Sequence, residues 1–514
     1  MKRSLLVISV LLVALMTGFS LAPRADYDQE RGIITLPEPE SPFIAFNIWV
    51  KVGSVNDVPG MEGLAALTAA MLSDGATTED SYEAILAKLY PMAAGYGYTV
   101  DKEMTTFTGR VHRDNLEDYY TLFSNALLRP AFSQEDFDRI KSQTLNYLER
   151  GRRYGRDEEL TKELLYSMAY QRSAYEHPEE GYVQSVQAIT LDDVKAFYEG
   201  TYLRNNLVVG IGGGYPAGFP ERVRDDFNAL PEGDMPQVGT IEGRMPDGVK
   251  VLIVEKPTDA TPISIGFPID LVRSDEDFWS MVVFNSWMGE HRNSFSNLYQ
   301  VIRETRGMNY GDYSYIEAFP LGYTTQQPPV NSARQSHLFE MWIRPISNTT
   351  PTNLHDRVLF ATRAALRELN DVVENGLTAD DVEETKNFLR NYVLNWGNTI
   401  SRRLAYAVDD AFYGMSSPGY LAQIRSGIEA VTPEGVNQAI ARHLQDENYY
   451  IVMITRDAQE MRRKLIEGVP TNITYAGPQP DEVLAEDREI ATFPIPVSAD
   501  DITIIDINQV YQGG

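Results

Sequence analysis

The first periodic stretch of the chain changes from a spacing of two to a helical spacing. Between residues 43 and 52 every second residue is apolar, which predicts a half-buried strand. A turn over residues 53–60 follows, and residues 63–76 then place apolar side chains three and four positions apart. We therefore expect a strand, a turn and an alanine-rich helix at the front of the fold. The apolar positions are Ile44, Phe46, Ile48, Val50 and Val52 in the strand, and Leu64, Leu67 and Met71 in the helix.

Further helices and strands are predicted as far as residue 212. Ser133 and Thr190 each stand three residues before an aspartate, which is typical of a helix N-cap with a reciprocal acidic partner. Helices are expected over residues 81–90 and 115–128, from 133 past 145, and from 190 onward. A strand or hairpin is expected over 97–112 and a closing strand over 206–212.

The order of elements then repeats. Thr378 lies 245 positions after Ser133, and Thr432 lies 242 positions after Thr190, each before a helix. Nearly equal offsets predict a duplicated α+β domain with a mixed or antiparallel sheet covered by long helices in each copy. Chance similarity of two helix caps is the alternative. We expect domains over 30–230 and 249–460, a Pro- and Gly-rich linker over 231–248, and a tail over 461–514 packed over or between the halves.

Composition excludes several classes of function. The 514 residues contain no cysteine, which excludes disulfides, thiolate metal ligands and a cysteine nucleophile. The net charge of -28 would repel nucleic acid, so no nucleic-acid partner is expected.

The N-terminus has the pattern of an export signal. Basic residues precede an apolar run over residues 4–21, and Ala22 or Ala25 ends a small-residue cleavage site. Residues 1–22 are therefore interpreted as a signal peptide. An uncleaved membrane anchor is the alternative. The expected location is outside the cytoplasm, in a periplasm or an equivalent compartment.

Two stretches are candidates for chemistry. The helix over 63–76 is, taken alone, an ordinary core helix with a face of small residues. In residues 301–310, Arg303 lies near a helix end that Gly307 can terminate, and Tyr310 begins a strand. We expect the buried stripe of this helix to include Phe295 and Leu298. A cation and a phenol that converge can hydrogen-bond a carbonyl or an oxyanion. The alternative is a surface arginine with a core tyrosine.

Together these features resemble the insulinase/pitrilysin family of inverted-zincin peptidases, over roughly residues 30–460. The resemblance implies a clamshell of two halves. In the family, the helix that corresponds to this alanine-rich helix carries His-x-x-Glu-His. Ala66, Ala69 and Ala70 occupy the corresponding positions, and alanine offers neither a lone pair nor a proton-transfer group. The family's third ligand, a glutamate, would fall between residues 147 and 149, which makes Glu149 a candidate remnant. The six histidines have no zincin spacing and are expected at surfaces or caps.

The resemblance also assigns a substrate-side edge strand to Gly97, Tyr98, Thr99 and Val100. An edge strand binds extended peptides by backbone pairing. The alternative is an ordinary covered edge. Arg303 and Tyr310 match the family's paired arginine and tyrosine, which act on the substrate.

Three hypotheses follow. The first is a non-catalytic subunit that binds peptide and supplies Arg303 and Tyr310, binds no cofactor itself, and works with a zinc-binding insulinase-family subunit that has an intact His-x-x-Glu-His. The second is a stand-alone peptide-binding or structural clamshell without a protease partner. The third is an active hydrolase with relocated chemistry.

Overall fold

The chain folds into two halves, and each half is built on a sheet with helices packed against it. The computed structural model describes residues 26–28, 32–234, 237–319, 328, 330–346, 354–415, 419–471, 473–475 and 477–513. The side chains of residues 26–28 and 310 are not described. The proposed signal segment over residues 1–22 lies outside the described residues.

The first half contributes a six-stranded sheet in the order β1-β2-β6-β3-β5-β4. Its strands are β1 Asp26–Asp28, β2 Ile33–Pro37, β3 Phe43–Val50, β4 Gly95–Val100, β5 Thr105–His112 and β6 Leu207–Gly213. Its helices are α1 Leu64–Asp74, α2 Tyr82–Leu89, α3 Leu116–Leu128, α4 Gln134–Asn146, α5 Arg153–Gly155, α6 Asp157–Ala169, α7 Val183–Ala188, α8 Leu191–Thr201 and α9 Phe219–Phe227. A π-helical turn, Tyr147–Arg152, connects α4 to α5.

The second half contributes a six-stranded sheet in the order β12-β7-β11-β8-β10-β9. Its strands are β7 Val249–Glu255, β8 Ile263–Ile269, β9 Asn309–Tyr315, β10 His337–Pro345, β11 Tyr449–Thr455 and β12 Ile502–Asp506. Its helices are α10 Phe278–Gly289, α11 Leu354–Asn375, α12 Ala379–Tyr392, α13 Ile400–Phe412, α14 Tyr420–Ala430, α15 Pro433–His443, α16 Ala458–Glu467 and α17 Asp481–Ile490.

The two sheets share one topology. Strands β2, β6, β3, β5 and β4 correspond in order to β7, β11, β8, β10 and β9, and in both sheets the first two of these run parallel. The matched helix starts are also equivalent, because Ser133 Oγ accepts the amide of Asp136 and Thr378 Oγ1 accepts that of Asp381. The prediction of a duplicated α+β domain is confirmed.

Each sheet is covered on its outer face by a helix from the other half. On the first sheet, Ala45 and Trp49 of β3 cluster with Leu404 of α13. On the second sheet, α6 packs against β8 and β11. The prediction that β3 is half-buried is wrong, since seven of its eight residues are buried. Its spacing of two could not reveal a cover that comes from a helix far away in sequence.

The C-terminal tail contacts both halves. Strand β12 extends the second sheet by pairing parallel to β7. Beyond it, Arg153 Nε donates to the carbonyl of Val510 at 2.7 Å, and the amide of Val183 donates to that of Tyr511 at 2.8 Å. The expected packing of the tail over the halves is confirmed, while α16 and α17 were not predicted. Among the described helices, none has the length and apolar character needed to span a bilayer.

Candidate functional site

Helix α1 is held at its start by a buried carboxylate. Asp57 accepts the amides of Gly63 and Ala65 at 2.7 Å each, which satisfies two donors at the first turn. Gly63 has φ 99°, and a Cβ there would lie 2.5 Å from the carbonyl oxygen of Glu180. Burial raises the pKa of Asp57 to about 8. These contacts fix the position of α1 against the segment around residue 180.

The three alanines of the predicted metal helix have different surroundings. Ala66 is half-buried and lines a cavity of about 730 Å³, which we call the central cavity. Ala69 and Ala70 are 0% and 4% exposed and pack into the core of the first half. Since alanine has no donor atom, this face does not fit a zinc ion. Among the described residues, no group of three His, Cys, Asp or Glu side chains is placed to hold a metal ion.

The turn that follows α4 presents Tyr147, and not Glu149, to the central cavity. Tyr147 lines the cavity together with Ala66, whereas Glu149 is exposed. A Cβ at Gly151 would lie 2.7 Å from the Tyr147 ring, so the glycine leaves room for the ring to lie against the turn. The suggestion that Glu149 is a ligand remnant stays a prediction, and its exposed side chain lies on the π-helical turn.

Strand β4 is an edge strand of the first sheet. Within the described residues it pairs with β5 alone. Tyr98, Thr99 and Val100 line the central cavity, and a Cβ at Gly97 would meet nothing within 4 Å. Within the described residues, no strand pairs with the outer side of β4. The predicted edge is confirmed, while its role in binding substrate stays a prediction.

The second half closes the central cavity over β4. Asn331 Nδ2 donates to Thr99 Oγ1 at 2.6 Å, and the amide of Ala333 donates to Asp101 at 3.0 Å. Arg402 of α13 also lines the cavity. The site thus lies between the halves, and a ligand on β4 would touch both.

The walls of the central cavity and of an adjoining smaller cavity carry buried charges on α6 and on the segment before α7. Burial raises the pKa of Glu159 and of Glu163, the latter to about 7. The pKa of Glu179 is lowered, because Lys102 and Arg152 outweigh the effect of its burial. Lys102 Nζ lies 2.9 Å from Glu179, and Arg152 lies 3.1 Å from Glu180. The cavity therefore combines charged walls with the side chains of β4.

Arg303 is not among the described residues that line this cavity. It is half-buried on a π-helical turn, Tyr299–Glu304, and its guanidinium stands 4.7 Å from the ring of Tyr299. Gly307 has φ 59° and its amide donates to the carbonyl of Arg303 at 2.7 Å, which confirms the predicted termination. Phe295 is 84% exposed, so its expected place in the buried stripe is wrong, whereas Leu298 is buried as expected. Tyr310 is in β9, and its side chain lies outside the described residues.

Sequence reasoning missed Asp57 and the charged residues of α6. A run such as residues 156–163 normally indicates a solvated helix face, and only the tertiary fold turns it inward. The expectation that all histidines lie at surfaces or caps is also wrong, since His291, His337 and His355 are buried. His291 is surrounded by aromatic rings, with the centroid of Tyr313 at 4.5 Å.

The comparisons with known proteins agree with this geometry. Residues 33–181 match the family described as insulinase (peptidase family M16), and residues 188–389 match the peptidase M16 inactive domain. An uncharacterized zinc protease of Streptomyces coelicolor is 26% identical over 417 residues, which is 79% of this chain and 83% of that protein. A non-peptidase homolog of Helicobacter pylori is 21% identical over 409 residues, which is 79% of this chain and 88% of that protein.

A solved structure shares the fold. The peptidase M16 inactive domain from Pseudomonas fluorescens superposes with a TM-score of 0.71 at 22% identity, over 84% of this chain and 98% of that one. The expected fold class is confirmed by this likeness. Because the two family matches together span most of both halves, the chain belongs to the insulinase family, peptidase family M16, and it carries alanine at the positions where the sequence predicts the metal-binding motif.

Proposed function

We propose that this chain is the non-catalytic subunit of a two-chain zinc peptidase. Its partner is an insulinase-family chain with an intact His-x-x-Glu-His, which holds the zinc. The observation that carries the proposal is the combination at α1, where the ligand face is filled by alanine while the neighbouring strand β4 lines the same cavity and, within the described residues, pairs with β5 alone. A chain that has lost metal ligands but kept a peptide-sized cleft is suited to binding without cleaving.

The open edge supports peptide binding. An extended peptide can pair with the outer backbone groups of β4, as in β-strand addition. Tyr98 and Val100 would contact its side chains, and Asn331 lies over the same strand. This mode depends on backbone pairing, so it tolerates varied sequences.

The position of Arg303 supports action on a partner's substrate. Arg303 is half-buried and is not among the described residues that line this chain's own central cavity. A guanidinium can place two donors on a carbonyl, and these bonds strengthen as negative charge develops on the oxygen. In the proposal, Arg303 and Tyr310 supply these donors at the partner's metal centre.

Export belongs to the same proposal. The basic, apolar and small-residue pattern of residues 1–22 supports cleavage after Ala22 or Ala25 and a location outside the cytoplasm. N-terminal sequencing of the native protein tests this, and an intact Met1 in a cytoplasmic fraction would contradict it.

Reconstitution tests the subunit hypothesis. The partner is chosen as an insulinase-family chain with intact His-x-x-Glu-His from the same organism, and the two chains are purified separately. We expect a stable complex by analytical ultracentrifugation and peptide cleavage that requires both chains. If the partner cleaves equally well alone and no complex forms, the chain is not its subunit.

A stand-alone peptide-binding protein is the second candidate. It is favoured by the central cavity, which this chain forms from its own two halves. Peptide binding by the purified chain in the absence of any partner, together with a failed reconstitution, would select this candidate over the first.

A further inference from the structure

The tail continues past β12 into the core of the first half. Residues 507–512, which we call the tail strap, leave the second sheet where β12 ends. Ile507, Val510 and Tyr511 of the strap are buried and belong to the same apolar cluster as Ala69 of α1. The strap lies outside both family matches, so the family likeness assigns it no function. Its contacts therefore decide what it does.

The tail strap caps helix α7. The amides of Val183 and Gln184, the first two residues of α7, donate to the carbonyls of Tyr511 and Gln512 at 2.8 and 3.1 Å. Amides at a helix start have no partner within the helix. The strap therefore supplies the acceptors that this helix start needs.

The side chain of Tyr511 lies behind a wall of the central cavity. Its hydroxyl accepts Arg152 Nε at 3.4 Å, and the Arg152 guanidinium lies 6.0 Å from the centre of its ring. Arg152 lines the central cavity and pairs with Glu180 at 3.1 Å. Undocking of the strap would therefore remove a contact that supports this wall.

The helix that the strap caps also fixes the start of α1. Ser185 Oγ of α7 donates to the carbonyl of Glu62 at 2.7 Å. Gly63 lies so close to the carbonyl of Glu180 that a Cβ would not fit. Ala66, three residues further along α1, faces the central cavity. The strap, α7, the start of α1 and the cavity thus form one continuous series of contacts, which is a physical route for coupling.

The docked strap carries backbone strain. Tyr511 has φ 60°, a left-handed conformation that disfavours a residue with a Cβ. Undocking would relieve this strain, whereas docking buries the ring and satisfies the start of α7. Peripheral segments can open locally while the rest of a protein stays folded. Docking is therefore a balance between burial and strain.

We propose that the tail strap is a regulatory clasp for the central cavity, so that peptide binds tightly only while residues 507–512 are docked on α7. The inference rests on the peptide binding proposed above. An undocked strap leaves α7, Arg152 and the start of α1 without their support, which loosens the surface that meets the peptide. Coupling between two sites is reciprocal, so a peptide that binds the docked state better also favours docking.

Hydrogen exchange of the wild-type chain tests this coupling. The probe is an end-capped hexapeptide of alternating valine and threonine, whose binding is first measured by titration calorimetry. At saturation, exchange of the Val183 and Gln184 amides should slow by about 5- to 150-fold, the typical range of coupling between two sites. Helix α15 is the internal control, since none of its residues lines the central cavity. Bound peptide without slower exchange at these two amides would overturn the proposal.

Three variants separate docking of the strap from general stability. Tyr511→Ala removes the buried ring, Tyr511→Phe removes only the hydroxyl, and Thr503→Ala changes an exposed residue of β12. We expect Tyr511→Ala to weaken peptide binding by about 5- to 150-fold and to speed exchange of the Gly63 amide. Tyr511→Phe should keep the wild-type affinity, because the ring remains buried and the contact to Arg152 is a long hydrogen bond. Thr503→Ala should also bind as the wild type does.

The outcomes distinguish this inference from the proposed function. If the wild-type chain and Tyr511→Ala bind the peptide with the same affinity, peptide binding stands and the role of the strap is wrong. If Tyr511→Ala does not fold, the exchange measurement on the wild-type chain decides alone. If the wild-type chain does not bind the peptide, peptide binding itself fails, and the inference fails with it.

Discussion

Single residues decide whether the first half has a metal site. Ala70 is inside the core at a position that carries a histidine ligand in the resembling family, and Ala69 is inside the core at the position of the family's glutamate. Ala66 alone of the three faces the central cavity. The change of residue type is readable from the sequence, whereas the different surroundings of the three alanines are not, because helical spacing alone cannot tell a cavity from a core.

The first prediction compares two substitutions on α1. Ala69→Gln should destabilise the chain by about 3 kcal/mol, because it overfills the core and buries an amide. Ala66→Gln should cost less than about 1 kcal/mol, since its side chain enters the central cavity. Urea unfolding of both variants measures the difference. Equal losses would show that the two positions have the same surroundings.

At the scale of elements, helix starts and the repeated order of elements along the chain were the most predictable features. Ser133, Thr190 and Thr378 cap helices as predicted, because cap chemistry is local. The sequence could not predict that α13 covers the first sheet and α6 covers the second, because this packing depends on contacts between residues far apart in the chain. The inward charge of Glu159 was missed for the same reason.

The second prediction concerns this packing of each helix on the sheet of the other half. Leu404 of α13 is fully buried against the first sheet, so Leu404→Ala should cost about 2–5 kcal/mol. The control Leu394→Ala, at a position 64% exposed, should be nearly silent. Since each half covers the other's sheet, calorimetry of the wild-type chain should show one cooperative transition. Two transitions, with only one shifted by Leu404→Ala, would show that the halves are energetically separate.

At the scale of the whole molecule, buried acids make stability depend on pH. Their ionised forms are disfavoured by desolvation, so the folded state holds protons that the unfolded chain releases near pH 4. Burial raises the pKa of Asp57 to about 8 and the pKa values of Asp101, Glu163, Glu290 and Glu340 to about 7.

The third prediction is a loss of stability between pH 5.5 and pH 8. The stability contributed by these acids is fully present below their pKa in the unfolded chain. It is lost as the pH rises through their pKa values in the folded protein, at about 7 and 8. His337 and His177 act in the opposite direction up to about pH 6.5, because burial lowers the pKa of both, that of His337 to about 4, but they are two groups against five. Melting temperatures at the two pH values check this. Glu340→Gln should reduce the difference, whereas exposed Glu149→Gln should leave it unchanged. A higher melting temperature at pH 8 would contradict the assignment.

The central claim is that this chain lacks zinc yet contributes to cleavage by a partner. The most direct measurement is the turnover rate of the reconstituted complex with wild-type chain, with Arg303→Ala and with the control Arg344→Ala, whose arginine is exposed on β10 of the second sheet. We expect one zinc per complex, none in this chain alone, and a loss of about 10²- to 10³-fold in turnover for Arg303→Ala only. Cleavage at the wild-type rate by an intact Arg303→Ala complex would contradict the account.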